Sequence, residues 1–238
     1  MRRLKIIGAA VCAVLLAAAA VILIRFPGLI TCLRMKWKYD NLDRTTELYA
    51  KQSVPADFRE WKLNGITLSA PADYTAKENR DRILIGADGK TRIFVSGGVT
   101  ASALDAGYDP FAVYSFTEFD LRQYFQTVGK PYRDPASNAL LFYCKDELSV
   151  WDGLRLRGSD RKVFAELCEI KDGGWETEET EKMTVPGGTA YISGGLLSGG
   201  AQTVTMFPDS GGEHRLVMVR EQDAQKARQI ISSMAFAD

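Results

Sequence analysis

The sequence predicts an α+β fold: an N-terminal transmembrane helix, then a mostly antiparallel sheet flanked by helices. Three observations predict it. Nineteen consecutive uncharged residues run from Ile6 to Ile24. Short runs of alternating apolar residues flank turn dipeptides such as Asn64-Gly65 and Asp88-Gly89, which is the strand-pair pattern. Longer segments instead place their apolar residues at helical spacing. Of 238 residues, 46% are apolar and 25% are charged, a balance that excludes a disordered chain and leaves a body able to bury a core without disulfide staples.

The N-terminal run defines the first segment, residues 1–25. As a helix rising about 1.5 Å per residue it reaches roughly 28 Å, close to the ~30 Å hydrocarbon core of a bilayer. It has no polar stripe of the kind a buried helix of a soluble protein shows. A cleaved signal peptide is the main competitor, because Arg2, Arg3 and Lys5 form a positive leader and Ala17 to Ala20 are small. A signal core usually runs about 7–15 residues, however, and here Val21, Ile22, Leu23 and Ile24 follow where such a sequence turns polar. An uncleaved anchor, touching the bilayer through residues 4–24, is the reading favoured. Leu29-Ile30-Thr31-Cys32 fails as a lipid-attachment signal, since a threonine precedes the cysteine and the apolar run ends upstream.

Charge counting alone does not decide the orientation. Arg2, Arg3 and Lys5 nearly balance Arg25, Arg34, Lys36 and Lys38, and a short basic tail ahead of a first span usually stays in the cytoplasm, so the large C-terminal part is expected outside. The second basic group then rests near lipid headgroups, with Trp37 and Tyr39 in the aromatic belt. The first 44 residues hold eight basic and two acidic residues, leaving 22 basic against 28 acidic in the rest. With zero net charge overall, a nucleic-acid partner is not expected.

Pro27-Gly28 stops the first helix. Residues 26–54 read as a partly helical juxtamembrane stalk, with Leu42, Leu48 and Tyr49 at roughly helical spacing, and residues 55–238 read as the folded domain. Within it, Trp61 to Leu68 and Arg82 to Ser96 predict hairpins. Thr117 with Asp120 predicts a capped helix carrying Phe119, Leu121, Tyr124, Phe125 and Val128 inward. Asp134-Pro135 opens a short helix or buried strand through Tyr143. Ser159-Asp160 opens another helix with Val163, Phe164, Leu167 and Ile170 inward and Gly173-Gly174 as its stop. Strands follow over Glu181–Val185, Thr189–Ser193, Thr203–Phe207 and Arg215–Val219, and Gln222 to Met234 closes the chain as a helix with Ala224, Ala227, Ile230, Ile231 and Met234 on one face.

No catalytic, cofactor-binding or metal-ligating residue emerges. Gly89-Lys90-Thr91, Leu197-Ser198-Gly199-Gly200 and Asp146-Glu147 imitate parts of a nucleotide-hydrolysing cassette, but Leu84 stands where a phosphate-binding loop needs its first glycine, and the pieces come in the wrong order. No nucleotide is expected. The one histidine, His214, at a strand edge, reads as a partly exposed polar residue rather than a triad member. Glu176, Glu178, Glu179 and Glu181 read as a hydrated strand face rather than a calcium loop. Cys144 and Cys168 fit a disulfide or two buried thiols equally well. The aromatics Tyr108, Phe111, Tyr114, Phe116 and Phe119, beside Asp109-Pro110, read as core rather than as a partner patch.

From Trp61 onward the layout resembles the PsbP-like superfamily. The residues that carry this are Trp61 with Gly65-Ile66-Thr67-Leu68 and Pro71-Ala72-Asp73-Tyr74, the Val185-Pro186-Gly187-Gly188-Thr189-Ala190 hairpin, and the closing Arg228-Gln229-Ile230-Ile231-Ser232-Ser233-Met234-Ala235-Phe236. The stretch from Tyr108 to Gly174 departs from the pattern by being longer and more helical. The resemblance implies an α/β/α sandwich in a superfamily of partner-binding modules that generally lack an active site. The expectation is therefore a single-pass membrane protein presenting a non-catalytic binding or scaffold domain to an unidentified protein partner in the cell envelope. An anchored envelope hydrolase, with carboxylates as acid and base because histidine is nearly absent, is the alternative.

Overall fold

A computed structural model describes residues 2–77, 82–97, 111–135, 138–194 and 201–237, with side chains described from Val11 onward. Tyr108, Asp109-Pro110 and Leu197-Ser198-Gly199-Gly200 lie outside the described residues. Helix α1 spans Arg2–Arg25 and α2 spans Leu29–Lys38. Strand β1 (Glu47–Leu48) follows, then β2 (Phe58–Leu63), β3 (Ile66–Pro71), β4 (Thr75–Ala76), β5 (Ile83–Ile85) and β6 (Arg92–Gly97). Helices α3 (Glu118–Val128), α4 (Ala139–Asp146) and α5 (Asp160–Thr177) form the middle of the chain. Strands β7 (Thr180–Val185), β8 (Gly188–Ser193), β9 (Gln202–Pro208) and β10 (Arg215–Arg220), helix α6 (Ala224–Ser232) and strand β11 (Ala235–Phe236) complete it.

The expected α+β class with a mostly antiparallel sheet is present. Eight strands pair in the order β1-β7-β8-β9-β10-β6-β5-β4, antiparallel except for β1 beside β7. The hairpins form where the turn chemistry placed them. Asn64 and Gly65 both take positive φ, at 45° and 83°, the backbone that a two-residue turn between twisted strands requires. One difference is that β2 and β3 do not join the large sheet. They pair with β11 in a separate three-stranded sheet, order β11-β3-β2. With α6 this small sheet covers one face of the large sheet, and Leu63, Ile66, Leu68, Ile93, Val204, Val217, Ile230 and Ile231 meet in the common core. Asp223 caps α6 by accepting from the N–H groups of Gln225 and Lys226, satisfying two of the orphan donors of its first turn.

Helices α2 to α5 enclose a second core of Cys32, Met35, Leu121, Tyr124, Phe125, Tyr143, Phe164 and Leu167. Thr117 and Asp120 close the capping box that starts α3, but Phe119, expected inward, is 73% exposed. Helix α5 does not stop at Gly173-Gly174; it runs on to Thr177 and buries Trp175. Gly174 serves packing instead, since a Cβ there would lie 2.9 Å from Leu141 Cδ1 and 3.2 Å from Lys145 Cε.

Residues 26–54, expected as a stalk, are helical in part and are also built into the body. Cys32, Met35 and Leu42 are buried in the helical core and Tyr49 in the sheet core. Backbone N–H of Tyr49 donates to Lys182 O at 2.8 Å, and Gln52 N–H donates to Ser232 Oγ at 2.8 Å.

Candidate functional site

The elbow between α1 and α2 is built by Phe26-Pro27-Gly28. Gly28 N–H donates to Leu154 O at 2.9 Å, and a Cβ at Gly28 would fall 1.8 Å from Gly153 O. The elbow backbone is thus pressed onto the 3-10 helix Val150–Arg155. From Val11 to Ile24 every large apolar residue of α1 is exposed, on all sides of the helix. Among the described residues no single helix is long and apolar enough to cross a membrane; Val11–Arg25 and α2 meet that length and composition only together, as a pair bent by 85°.

Within the body, Asp146 at the end of α4 gathers residues from three other places in the chain. Its carboxylate accepts from Lys182 Nζ on β7 at 2.5 Å, from Tyr191 OH on β8 at 3.2 Å, and from the Thr46 hydroxyl beside β1. Burial alone would raise this carboxyl, but the hydrogen bonds from Lys182 and Thr46, with the Lys182 charge, outweigh it and hold it below the usual carboxylate range. Beside it opens a cleft of about 270 Å³, lined by Arg133, Phe142, Glu147, Tyr191 and Phe207 among others. Phe142 stacks on Tyr191 with ring centroids 4.5 Å apart. Arg133 pairs with Glu147 at 2.9 Å.

His214 stacks on Phe207 at 5.6 Å. It was expected to be partly exposed, but only 7% of it reaches solvent. Burial, and then the neighbouring Arg215 charge, push its pKa down, so the imidazole is neutral at pH 7. The acidic run also differs from a strand face. It spans the junction from α5 to β7, where Glu179 accepts two hydrogen bonds from Arg44 at 2.7 and 2.8 Å, and Glu181 lies 3.7 Å from Arg228. Gly89-Lys90-Thr91 occupy the β5–β6 turn, where the Lys90 and Thr91 N–H groups donate to the Asp88 carboxylate rather than opening toward a phosphate.

A larger hollow of about 760 Å³ lies beside β1, lined by Arg44, Thr46, Glu47, Trp175, Glu181 and Gln202 among others. The Arg44 guanidinium sits 4.4 Å from the Trp175 ring centre. Buried Lys145 approaches the same ring at 4.9 Å and donates to Glu178 O and Thr180 Oγ1. Trp175 Nε1 and Gln202 Oε1 are buried without a hydrogen-bond partner. Both atoms are closed off from solvent, and of the charged residues around them Arg44 is paired with Glu179 and Glu181 lies near Arg228. Sequence reading missed both clefts. Thr46 lies 100 residues from Asp146, Tyr191 45 and Lys182 36, and no spacing rule links positions that far apart.

Among the described residues no group of three or more His, Cys, Asp or Glu side chains is placed to hold a metal ion. No protein-family model matches the chain, and none of the curated proteins matches it.

Proposed function

We propose that this chain is a single-pass membrane-anchored protein that presents a non-catalytic binding or scaffold domain, outside the cytoplasm, in the cell envelope. The observation that carries the reading is α1. From Val11 on, its described apolar residues are exposed all round the helix and none belongs to either core of the body, an arrangement costly in water and natural in lipid. The body supports a contact role, because most of the ionic side chains around its clefts are engaged in ion pairs, Arg44 with Glu179, Arg133 with Glu147, Lys182 with Asp146 and Glu181 with Arg228. We read the body as PsbP-like, an α/β/α sandwich in which the small sheet accompanies α6, on the Trp61–Tyr74, Val185–Ala190 and Arg228–Phe236 patterns.

The test is fractionation of cells expressing the full chain. The expected result is a chain that stays in the membrane pellet through an alkaline carbonate wash, with its own N-terminus intact and a C-terminal reporter active outside the cytoplasm. Release into the supernatant, or a mature N-terminus beyond the alanine run, overturns the anchor.

A further inference from the structure

Helix α2 is two-sided. At about 100° per residue, Ile30, Leu33 and Trp37 fall within roughly 60° of one another, while Cys32 and Met35 point the opposite way and are buried in the helical core. The outward three are all exposed, at 64%, 52% and 95%. On the same wheel Arg34 lies beside this apolar strip and Lys36 and Lys38 lie on its two flanks. A strip of large apolar residues bordered by cations is the signature of a helix lying in the plane of a membrane surface, apolar side down and ammonium groups reaching back to the phosphates. Trp151, 45% exposed on the adjoining 3-10 helix, extends the strip, with Lys36 Nζ 5.4 Å from its ring centre.

We infer that α2 is an interfacial helix that seats the body on the anionic headgroup layer of the bilayer that α1 enters. The inference rests on the anchor reading and adds to it a docking face and an orientation. The occupant follows from continuity and charge. Three residues separate α2 from α1, and the axes differ by 85°, the angle expected between a helix along the bilayer normal and one in its plane. Arg25, Arg34 and Lys38 supply the attraction for phosphate groups, while Lys36 is paired with Asp43 at 3.1 Å. The elbow is closely packed: Gly28 lies on Gly153, and a Cβ at Gly153 would meet Phe164 at 2.5 Å and Cys32 Sγ at 2.8 Å. Helix α2 therefore cannot tilt independently of the body, so the headgroup layer fixes how the domain faces.

The experiment uses the full chain reconstituted into vesicles of phosphatidylcholine, with or without phosphatidylglycerol, carrying bromine at a shallow or a deep acyl position. The Trp37 signal is obtained as the difference between wild type and Trp37→Phe. The expected result is blue-shifted Trp37 emission, quenched more by shallow than by deep bromine, with quenching stronger in anionic vesicles and reduced by Arg34→Glu/Lys38→Glu. All these positions are exposed, so unchanged circular dichroism shows that folding is intact. Carbonate-resistant chain whose Trp37 emits as in water and is not quenched overturns the inference while leaving the anchor standing. Equal quenching in neutral and anionic vesicles overturns the charge component. Failure of the chain to stay with the vesicles overturns both.

Discussion

Lys182 of β7 and Asp146 of α4 form a polar tie between the sheet and the helical layer, with Lys182 Nζ 2.5 Å from Asp146 Oδ2 and the Asp146 side chain 12% exposed. Thr46 and Tyr191 complete the set, so one carboxylate links the segment after α2, helix α4 and two strands. Because the Asp146 pKa is held below its ordinary value, its stabilisation is complete above about pH 4 and is lost as pH falls through the lower folded value. Asp146→Asn keeps the shape but removes the charge. Urea unfolding of the detergent-solubilised chain should show a loss of about 2 kcal/mol at pH 7, shrinking toward zero on acidification. A loss independent of pH would contradict this account.

Two glycines should respond very differently to alanine. Gly28 has φ −91°, which any residue adopts, so its constraint is steric: the added Cβ meets backbone oxygen of Gly153 at 1.8 Å. Backbone cannot rotate away as a side chain can. Gly28→Ala should cost about 2–3 kcal/mol. At Gly174 the nearest atoms are the ends of the Leu141 and Lys145 side chains, and Gly174→Ala should cost about 1 kcal/mol or less, helped by the better helix propensity of alanine. Thermal unfolding of both variants in the same detergent checks the order, and equal shifts would show that the elbow is not closely packed.

Local rules made much of the fold legible. Asn64-Gly65 announces a hairpin because few other pairs accept two successive positive φ angles, Asp88-Gly89 because the Asp88 carboxylate accepts from the N–H groups just after it while Gly89 alone takes a positive φ, and Thr117 with Asp120 announces α3 because the cap is a contact between neighbours. What depends on distant partners stayed hidden. Two residues, Glu47 and Leu48, carry no pattern that foretells parallel pairing with β7, and Cys32, Met35, Leu42 and Tyr49 look like a stalk until α5 and the sheet enclose them. Gly173-Gly174 reads as a helix stop, but the close approach of α4 there needs a small residue. The apolar run of α1 and the basic residues after it were plain in the sequence; the Asp146 cluster and the Trp175 hollow were not.

Lys171 is buried in the helical core, donating to Leu148 O at 2.7 Å. Burial is the main cause that lowers its pKa, only partly offset by the nearby Cys144 and Cys168. A lysine whose folded pKa is depressed binds fewer protons folded than unfolded between the two values, so the chain should gain stability as pH rises from the lowered value toward the ordinary lysine range. Lys171→Met removes the ionisable group, fills a similar volume and leaves one carbonyl unpaired. Its net effect at pH 7 should lie within about 1–2 kcal/mol of zero, and the alkaline rise in stability should flatten. Unfolding measured from pH 7 to 10 reads both. A variant that loses far more than this, with the alkaline rise intact, would show that the ammonium anchors the core rather than burdening it.

Cys32, Cys144 and Cys168 are buried free thiols, so the structure takes the unpaired side of the disulfide question. Burial, followed by the influence of Cys32, pushes Cys168 up to about 12, and burial with Cys168 nearby raises Cys144 further. Since the thiolate is the reactive form, these groups are inert in the folded chain at neutral pH. Cys12 is exposed on α1, where lipid rather than water would surround it. Treating membranes with a charged maleimide should therefore leave the native chain unlabelled. Denaturing it without reductant should add four alkyl groups by mass. Two groups with a mass lower by two hydrogens would reveal a Cys144–Cys168 bridge. Ready labelling of Cys12 in native membranes would place that residue in water and count against α1 as the anchor.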